Sequence, residues 1–374
     1  MSSDEPVIFD ELDAGAGKRI GRATLNAPKA LNSLSMAMIE RLQPKLAEWD
    51  ADEQIVCIVI DGAGDKAFCA GGDIIQLYKG MSGEGDPDYP PRFFTEEYRL
   101  DYQIHTLKTP CITWGDGIVM GGGMGIFAGG GYKVVTEKAR LAMPEITIGL
   151  FPDVGGTWFL NRLPGRTGLF LGLTGAHMNA GDAMFLGLAD RYVASDHIES
   201  LLESLQSVED WSRPHASVDN LLRRLEDGDR ADCPASPVEQ HFDTINRACD
   251  AGDLRGIEAG ILRLADSEEK FLAKAAKGLA SGCPMTAHLI YRQMTRGAHL
   301  SLREVFQREL KMAWHCCLHG DFQEGIRALL VDKDGEPKWR HASIAEVPEA
   351  DIDEHFTPPW NGEHPLADLP VEAP

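Results

Sequence analysis

The 374-residue chain carries 58 acidic against 36 basic side chains, a formal net charge of -22, with 43% hydrophobic and 25% charged residues. This is the balance of a soluble globular protein with a core large enough to bury catalytic groups. It excludes a general binder of nucleic acid or anionic membrane, which needs a basic face, but not a small polyanionic ligand held by a few local cations. No apolar run approaches the length that spans a bilayer. The acidic start, MSSDEPVIFDELD, has neither the basic n-region nor the apolar h-region of a secretory signal, so the expected location is cytoplasmic. The eight cysteines, Cys57, Cys69, Cys111, Cys233, Cys249, Cys283, Cys316 and Cys317, are scattered and read as reduced thiols. His315-Cys316-Cys317-x-His319 lacks CxxC spacing and a second ligand pair, so no metal is expected.

Residues 6–25 alternate around a GAGKR turn and predict a hairpin. Ser35 is a candidate N-cap for a helix over 36–50, with Met38, Ile39, Leu42, Leu46 and Trp49 at helical spacing and Pro44 inside it. IVCIVIDG, 55–62, reads as a strand buried on both faces. Asp73 begins a short helical run, and the Gly/Pro-rich stretch 80–92 is a candidate lid. A helix follows over 93–107, with Phe93, Leu100, Ile104 and Leu107 on its apolar face. Glu97 falls on that stripe, while Glu96 falls on the polar face with Arg92, Arg99 and Gln103. Further strands are predicted over 111–120 and 132–137, giving an α/β pattern.

Beyond residue 165 the chain reads as helical, with 207–236 as a polar connecting segment that still holds one candidate helix, 217–227, and a Pro- and acid-rich tail that is either wrapped or loose. The expected division is a core with the active site over 1–205, a helical region over 206–340 and the tail over 341–374.

The chemistry concentrates in three stretches. MPEITIGLFPDVGG, 143–156, sets Glu145 and Asp153 in apolar surroundings, where carboxylates are costly unless paired or used. Ala70-Gly71-Gly72-Asp73 and Gly121-Gly122-Gly123-Met124-Gly125 each lie between a strand and a helix. Glycine loops in that position leave backbone N–H groups free to hold a developing oxyanion, as thioester chemistry requires. The second loop also admits a dinucleotide reading, but Gly129-Gly130-Gly131 cuts the following helix too short for an ordinary crossover. There is no GxSxG elbow and no GxxxxGK[ST] loop.

PKALNSLS, KAFCAGGDI, GGGMG, MPEITIGLFPDVGGTWFL and DFQEGIRALLVDKDGEPKW together resemble the crotonase (enoyl-CoA hydratase/isomerase) superfamily, in its order and across nearly the whole chain. The branch most similar is that of the 3-hydroxyisobutyryl-CoA hydrolases. The resemblance implies a crotonase-like ββα spiral core with a helical C-terminal region. It also implies an acyl-CoA substrate, with coenzyme A part of that substrate and no further cofactor.

By the same resemblance, Gly72 and Gly122 supply the oxyanion-hole N–H groups and Glu145 is the catalytic glutamate. Asp153 and Glu97 are acidic substrate-site positions, Asp73, beside the first oxyanion glycine, is a further substrate-binding position, and Lys29, Ala30 and Leu31 line the coenzyme A site. The position of the second hydratase glutamate is Gly125 here, which disfavours hydration of a double bond and agrees with hydrolysis. Hydration or isomerisation of an enoyl-CoA is the alternative, and a non-catalytic acyl-CoA binder stays open. Assembly as a trimer, a hexamer or a monomer is left open. Lys29, Lys333 and Lys338 are candidate partners for the coenzyme A phosphates.

Overall fold

The structure, a computed structural model, describes residues 5–371, so both ends of the chain, including the close of the expected tail, lie outside the described residues. β1 (Val7–Asp13) and β2 (Arg19–Leu25) form the expected hairpin, in antiparallel register from Val7 opposite Leu25 to Asp13 opposite Arg19. α1 (Met36–Ala51) starts where Ser35 accepts a hydrogen bond from Met38 N. Its five predicted apolar residues are buried. Pro44 is tolerated because it lies on the exposed side, where the carbonyl it leaves unpaired can meet water.

β3 (Ile55–Gly62), β4 (Ala67–Cys69), α2 (Ile74–Ser82), α3 (Tyr89–His105), β5 (Cys111–Gly115), β6 (Ile118–Met120), α4 (Gly122–Gly129), β7 (Tyr132–Val135), β8 (Arg140–Ala142), α5 (Gly156–Leu160) and β9 (Arg191–Tyr192) follow. One sheet has the order β1-β2-β3-β5-β7-β9 and the other β4-β6-β8. Three times in succession, the chain lays one strand into the six-stranded sheet and then a three-residue strand into the smaller one. This repeat is the ββα spiral expected from the resemblance, and β2, β3, β5, β7 and β9 run parallel.

The stretch 111–120 is two strands in two sheets, not one. It breaks at Gly117, whose φ is 76° and where a Cβ would lie 2.3 Å from Lys66 O. Most of the candidate lid is helical: α2 runs to Ser82 and α3 begins at Tyr89, because prolines fit the first turn of a helix. The segment 207–236 is not merely a connector. The helix expected over 217–227 runs from Pro214 to Asp229, and its Val218, Leu221 and Leu222 pack with Val59, Trp114, Val134 and Val193.

Two compact units are built from interleaved segments. One takes residues 5–72, Leu100–Leu141 and Met178–Ser236, and holds almost all of both sheets. The other takes Asp73–Arg99, Ala142–His177 and residues 237–371, and is mainly helical. Its tail is wrapped rather than loose. Leu366 is fully buried, Gln307 Nε2 donates to Leu366 O at 3.0 Å, and Arg99 holds both Asp368 oxygens at 2.8 and 2.9 Å.

Candidate active site

In the strand-rich unit, the chain leaves β4 and β6 through the two glycine loops. Leu34 bridges Gly72 in parallel, and the bond that forms is Leu34 N to Gly71 O at 2.7 Å. A parallel bridge of this kind uses the groups flanking its central residue, which leaves the Gly72 N–H outside the ladder. Gly122 is the first residue of α4, following Gly121 at φ 50°, so its N–H is one of the four donors a helix start cannot satisfy internally. The loops abut: a Cβ on Gly71 would lie 3.4 Å from Met120 O and 3.9 Å from Gly122 N.

Lys29 and Ala30 lie on a 3-10 turn that ends at Leu31, which has φ 54°. Ala70 N donates to Leu31 O at 3.0 Å, tying that turn to the first glycine loop. Sequence reasoning missed the clamp, Asn32. It is fully buried; its Oδ1 accepts from Ala27 N at 2.9 Å, and its Nδ2 donates to Ala63 O at 2.9 Å and Ala67 O at 2.8 Å. Beside it is a cleft of about 270 Å³ lined by residues that include Lys29, Leu31 and Lys66. Ala30 is exposed on the same turn.

The carboxyl groups gather in the helical unit. Glu145 opens a 3-10 turn over Glu145–Ile148. That turn closes at Gly149 (φ 76°), where a Cβ would meet Asp321 O at 2.5 Å. Glu97, Glu145 and Asp153 are 2, 4 and 3% exposed. Glu97 thus turns inward as its place on the stripe predicts, while Glu96 is half-buried. Asp73 caps α2, accepting from Gln76 N at 3.3 Å.

Burial, and then the Asp153 and Glu145 charges, push the Glu97 carboxyl well above the usual range. Burial and then Asp153 do the same to Glu145. The Glu145 Oε2 is buried with no hydrogen-bond partner among the described residues. An orphaned carboxyl oxygen is expensive in a finished core and is expected where a substrate completes the site.

Two supports were not read from the sequence. Tyr98 Oη donates to Asp153 Oδ2 at 2.7 Å. Glu309, fully buried, accepts from Gly155 N and Thr157 N, both at 2.8 Å, which anchors the backbone just beyond Asp153. Val154, between Asp153 and Gly155, is held at φ 50°, unusual for a β-branched side chain. Burial lifts Glu309 to about 7 against those hydrogen bonds.

Asp153 itself is raised from 3.8 to about 7 by burial, with the Tyr98 hydrogen bond pulling it down. A carboxyl held above its unfolded value binds its proton more tightly in the folded state, so this group costs stability as pH rises from about 4 to about 7 and adds nothing further above that. Asp153→Asn removes the effect. The variant is expected to gain about 3 kcal/mol on wild type between about pH 5 and pH 8, measured by urea unfolding. An unchanged difference between those two pH values would rule out the raised carboxyl.

Comparison with known proteins agrees with this architecture. Residues 20–356 match the family model described as Enoyl-CoA hydratase/isomerase. The chain is 40% identical over 344 residues to "3-hydroxyisobutyryl-CoA hydrolase, mitochondrial" of Danio rerio, covering 91% of this chain and 88% of that protein. It is 37% identical over 337 residues to the Homo sapiens protein of the same name, covering 90% and 86%. A carnitinyl-CoA dehydratase structure from Mycobacterium thermoresistibile superposes with TM-score 0.83 at 35% identity, covering 95% of this chain and 97% of that one. An enoyl-CoA hydratase structure from Rhodobacter sphaeroides 2.4.1 gives 0.80 at 32%, covering 94% and 97%.

The cytoplasmic expectation is corrected by these relatives, which are named as mitochondrial proteins. The features behind that expectation argued only against secretion and membrane spanning. No helix among the described residues is long and apolar enough to cross a membrane.

Proposed function

Since the chain belongs to the enoyl-CoA hydratase/isomerase family, we propose that it hydrolyses the thioester of a short β-hydroxyacyl-CoA, 3-hydroxyisobutyryl-CoA, and so serves valine breakdown. The observation that carries this reading is the buried trio Glu97, Glu145 and Asp153, one oxygen of which is left bare. It is joined by the names of relatives that are 35–40% identical.

In the proposed reaction the Gly72 and Gly122 N–H groups take the charge that develops on the thioester oxygen. Glu145 either attacks the carbonyl carbon, expelling the coenzyme A thiolate and leaving a mixed anhydride that water cleaves, or draws a proton from the attacking water. Both routes end with a free carboxylic acid and a thiol. An acid whose pKa is raised by burial is the stronger base once it has lost its proton. Asp153 accepts the hydrogen bond of the substrate β-hydroxyl, and Tyr98 fixes the carboxyl that does so. Glu97 shares charge with both acids. Lys29, Ala30 and Leu31 receive the coenzyme A portion.

A second reading, enoyl-CoA hydration, is favoured by the name of one of the superposable structures, the enoyl-CoA hydratase from Rhodobacter sphaeroides 2.4.1. Against it stands Gly125, buried and without a carboxylate where a second proton carrier is needed. One assay separates the readings: thiol release and loss of enoyl absorbance, followed in parallel over 3-hydroxyisobutyryl-CoA, isobutyryl-CoA and crotonyl-CoA. Thiol release fastest with the hydroxylated ester, with crotonyl-CoA unconsumed, is expected. Asp153→Asn is expected to narrow the preference for the hydroxylated over the plain ester by about tenfold or more. Vigorous crotonyl-CoA hydration without thiol release would refute the hydrolase reading.

A further inference from the structure

The far end of the helix Leu302–His319 carries a side-chain cluster that the thioester chemistry does not use. His315 and His319 are one turn apart on one face, with ring centroids 5.5 Å apart and planes 17° from parallel. His355, which follows the short helix Glu349–Glu354, closes a triangle with them, its ring 5.6 Å from His315 and 4.9 Å from His319. Glu354 reaches His319 Nε2 at 3.4 Å. The sequence alone gave no second ligand pair; the fold brings one in from the tail.

The hydrogen bonds fix which nitrogens are available. His315 Nε2 lies 3.0 Å from Thr357 O, so it carries the proton and donates it, leaving Nδ1 as a bare lone pair. That Nδ1 is buried and has no partner among the described residues. His355 Nδ1 donates in the same way to Asp351 O at 2.8 Å, leaving its Nε2 bare. His315 and His355 are only 5% and 1% exposed. A buried imidazole that donates one N–H to a backbone carbonyl and turns its other nitrogen to neighbouring ligands is the arrangement that orients a metal ligand.

We propose that His315, His319 and Glu354 bind one divalent cation of the zinc class, with a water as fourth ligand. One ligand atom from each of the three residues lies within 4.8 Å of the other two. Ligand atoms around a tetrahedral zinc are about 3.3 Å apart, so a modest contraction completes the site, and the exposed Glu354 side chain is free to make it. Two imidazoles and a carboxylate suit zinc better than magnesium or calcium, which prefer all-oxygen shells.

Binding at His319 Nε2 moves that ring's proton to Nδ1, which now faces Arg340 Nη1 at 3.2 Å. The guanidinium therefore turns fully to Asp351, which its Nη2 already approaches at 3.4 Å. The ion would tie the tail to the long helix.

The test uses the full chain, stripped with a chelator and titrated with Co²⁺ as a spectroscopic probe and then with Zn²⁺. The expected result is one equivalent of Co²⁺ with visible d–d bands and no thiolate charge-transfer band, displaced by Zn²⁺. His319→Gln and Glu354→Gln lie at the rim of the cluster and are checked for fold by circular dichroism. Each is expected to weaken binding by about tenfold or more and to abolish the rise in thermal midpoint that Zn²⁺ gives the wild type. Absence of a saturable spectrum, a thiolate band, or unchanged affinity and midpoint shift in both variants would overturn the site.

Discussion

Glu145→Gln is expected to lower thioester turnover by about 10³-fold or more while leaving affinity for the coenzyme A ester within a few-fold of wild type. The amide keeps the shape of the carboxyl and fills the same buried volume, but it can neither attack a carbonyl nor hold a proton taken from water. The wild-type carboxyl is raised by burial and then by Asp153, and one of its oxygens has no partner to lose. Exchange for a neutral amide therefore breaks no hydrogen bond of that oxygen and lifts a desolvation cost. Fold stability near neutral pH should not fall. Steady-state thiol release and equilibrium binding of a non-hydrolysable ester read the two effects separately. Turnover within tenfold of wild type would remove Glu145 from the chemistry.

Gly122→Pro tests the other half of the proposed machinery. An oxyanion hole built from peptide N–H groups cannot be probed by trimming a side chain, but proline deletes the N–H itself. Gly122 is the first residue of α4, where proline's fixed φ suits a helix start and the lost N–H has no intrahelical acceptor. The residue before it is a glycine, the type least hindered by a following proline ring. The expected outcome is a fall in kcat of about 10²–10³-fold or more, read in a variant whose fold is checked by circular dichroism. An unchanged kcat in a folded variant would show that this N–H does not stabilise the oxyanion.

What could be read from the chain, and what could not, follows from how each element is buried. α1 and β3 were legible because one is amphipathic and the other apolar throughout. Glu97 was legible as an acid on an apolar stripe. Tyr98, its neighbour, was not, because α3 also buries Phe94, Tyr98 and Tyr102, and a helix covered on most sides has no single stripe.

Glu309 left a signal that went unread. It lies among Leu302, Val305, Phe306, Leu310 and Ala313 on the buried face of its helix, the pattern that identified Glu97. Its partners, Gly155 and Thr157, are more than 150 residues earlier, beyond the reach of local spacing. The helix expected over 217–227 was legible, but its full extent and its place in the core were obscured by polar composition, since its buried Glu226 and Asp229 look like solvated charges until the fold is known. Asp229 is spent on Ala194 N, at 2.8 Å, rather than on water.

The bond between Arg99 and Asp368 spans 269 residues. Translation proceeds from the N-terminus, and domains ordinarily fold as they emerge. The helical unit cannot follow that order: its first segment, Asp73–Arg99, is made early, its second, Ala142–His177, midway, and its largest, residues 237–371, last. Until synthesis is nearly finished, the segment bearing Glu97, Phe93, Phe94 and Tyr98 has nothing from that later part of its own unit to cover it. The face of α3 where Phe94 meets Phe322 and Tyr98 meets Phe306 therefore stays uncovered until that late segment emerges. Truncation at the C-terminus would prolong that exposure and place the cost in aggregation during synthesis.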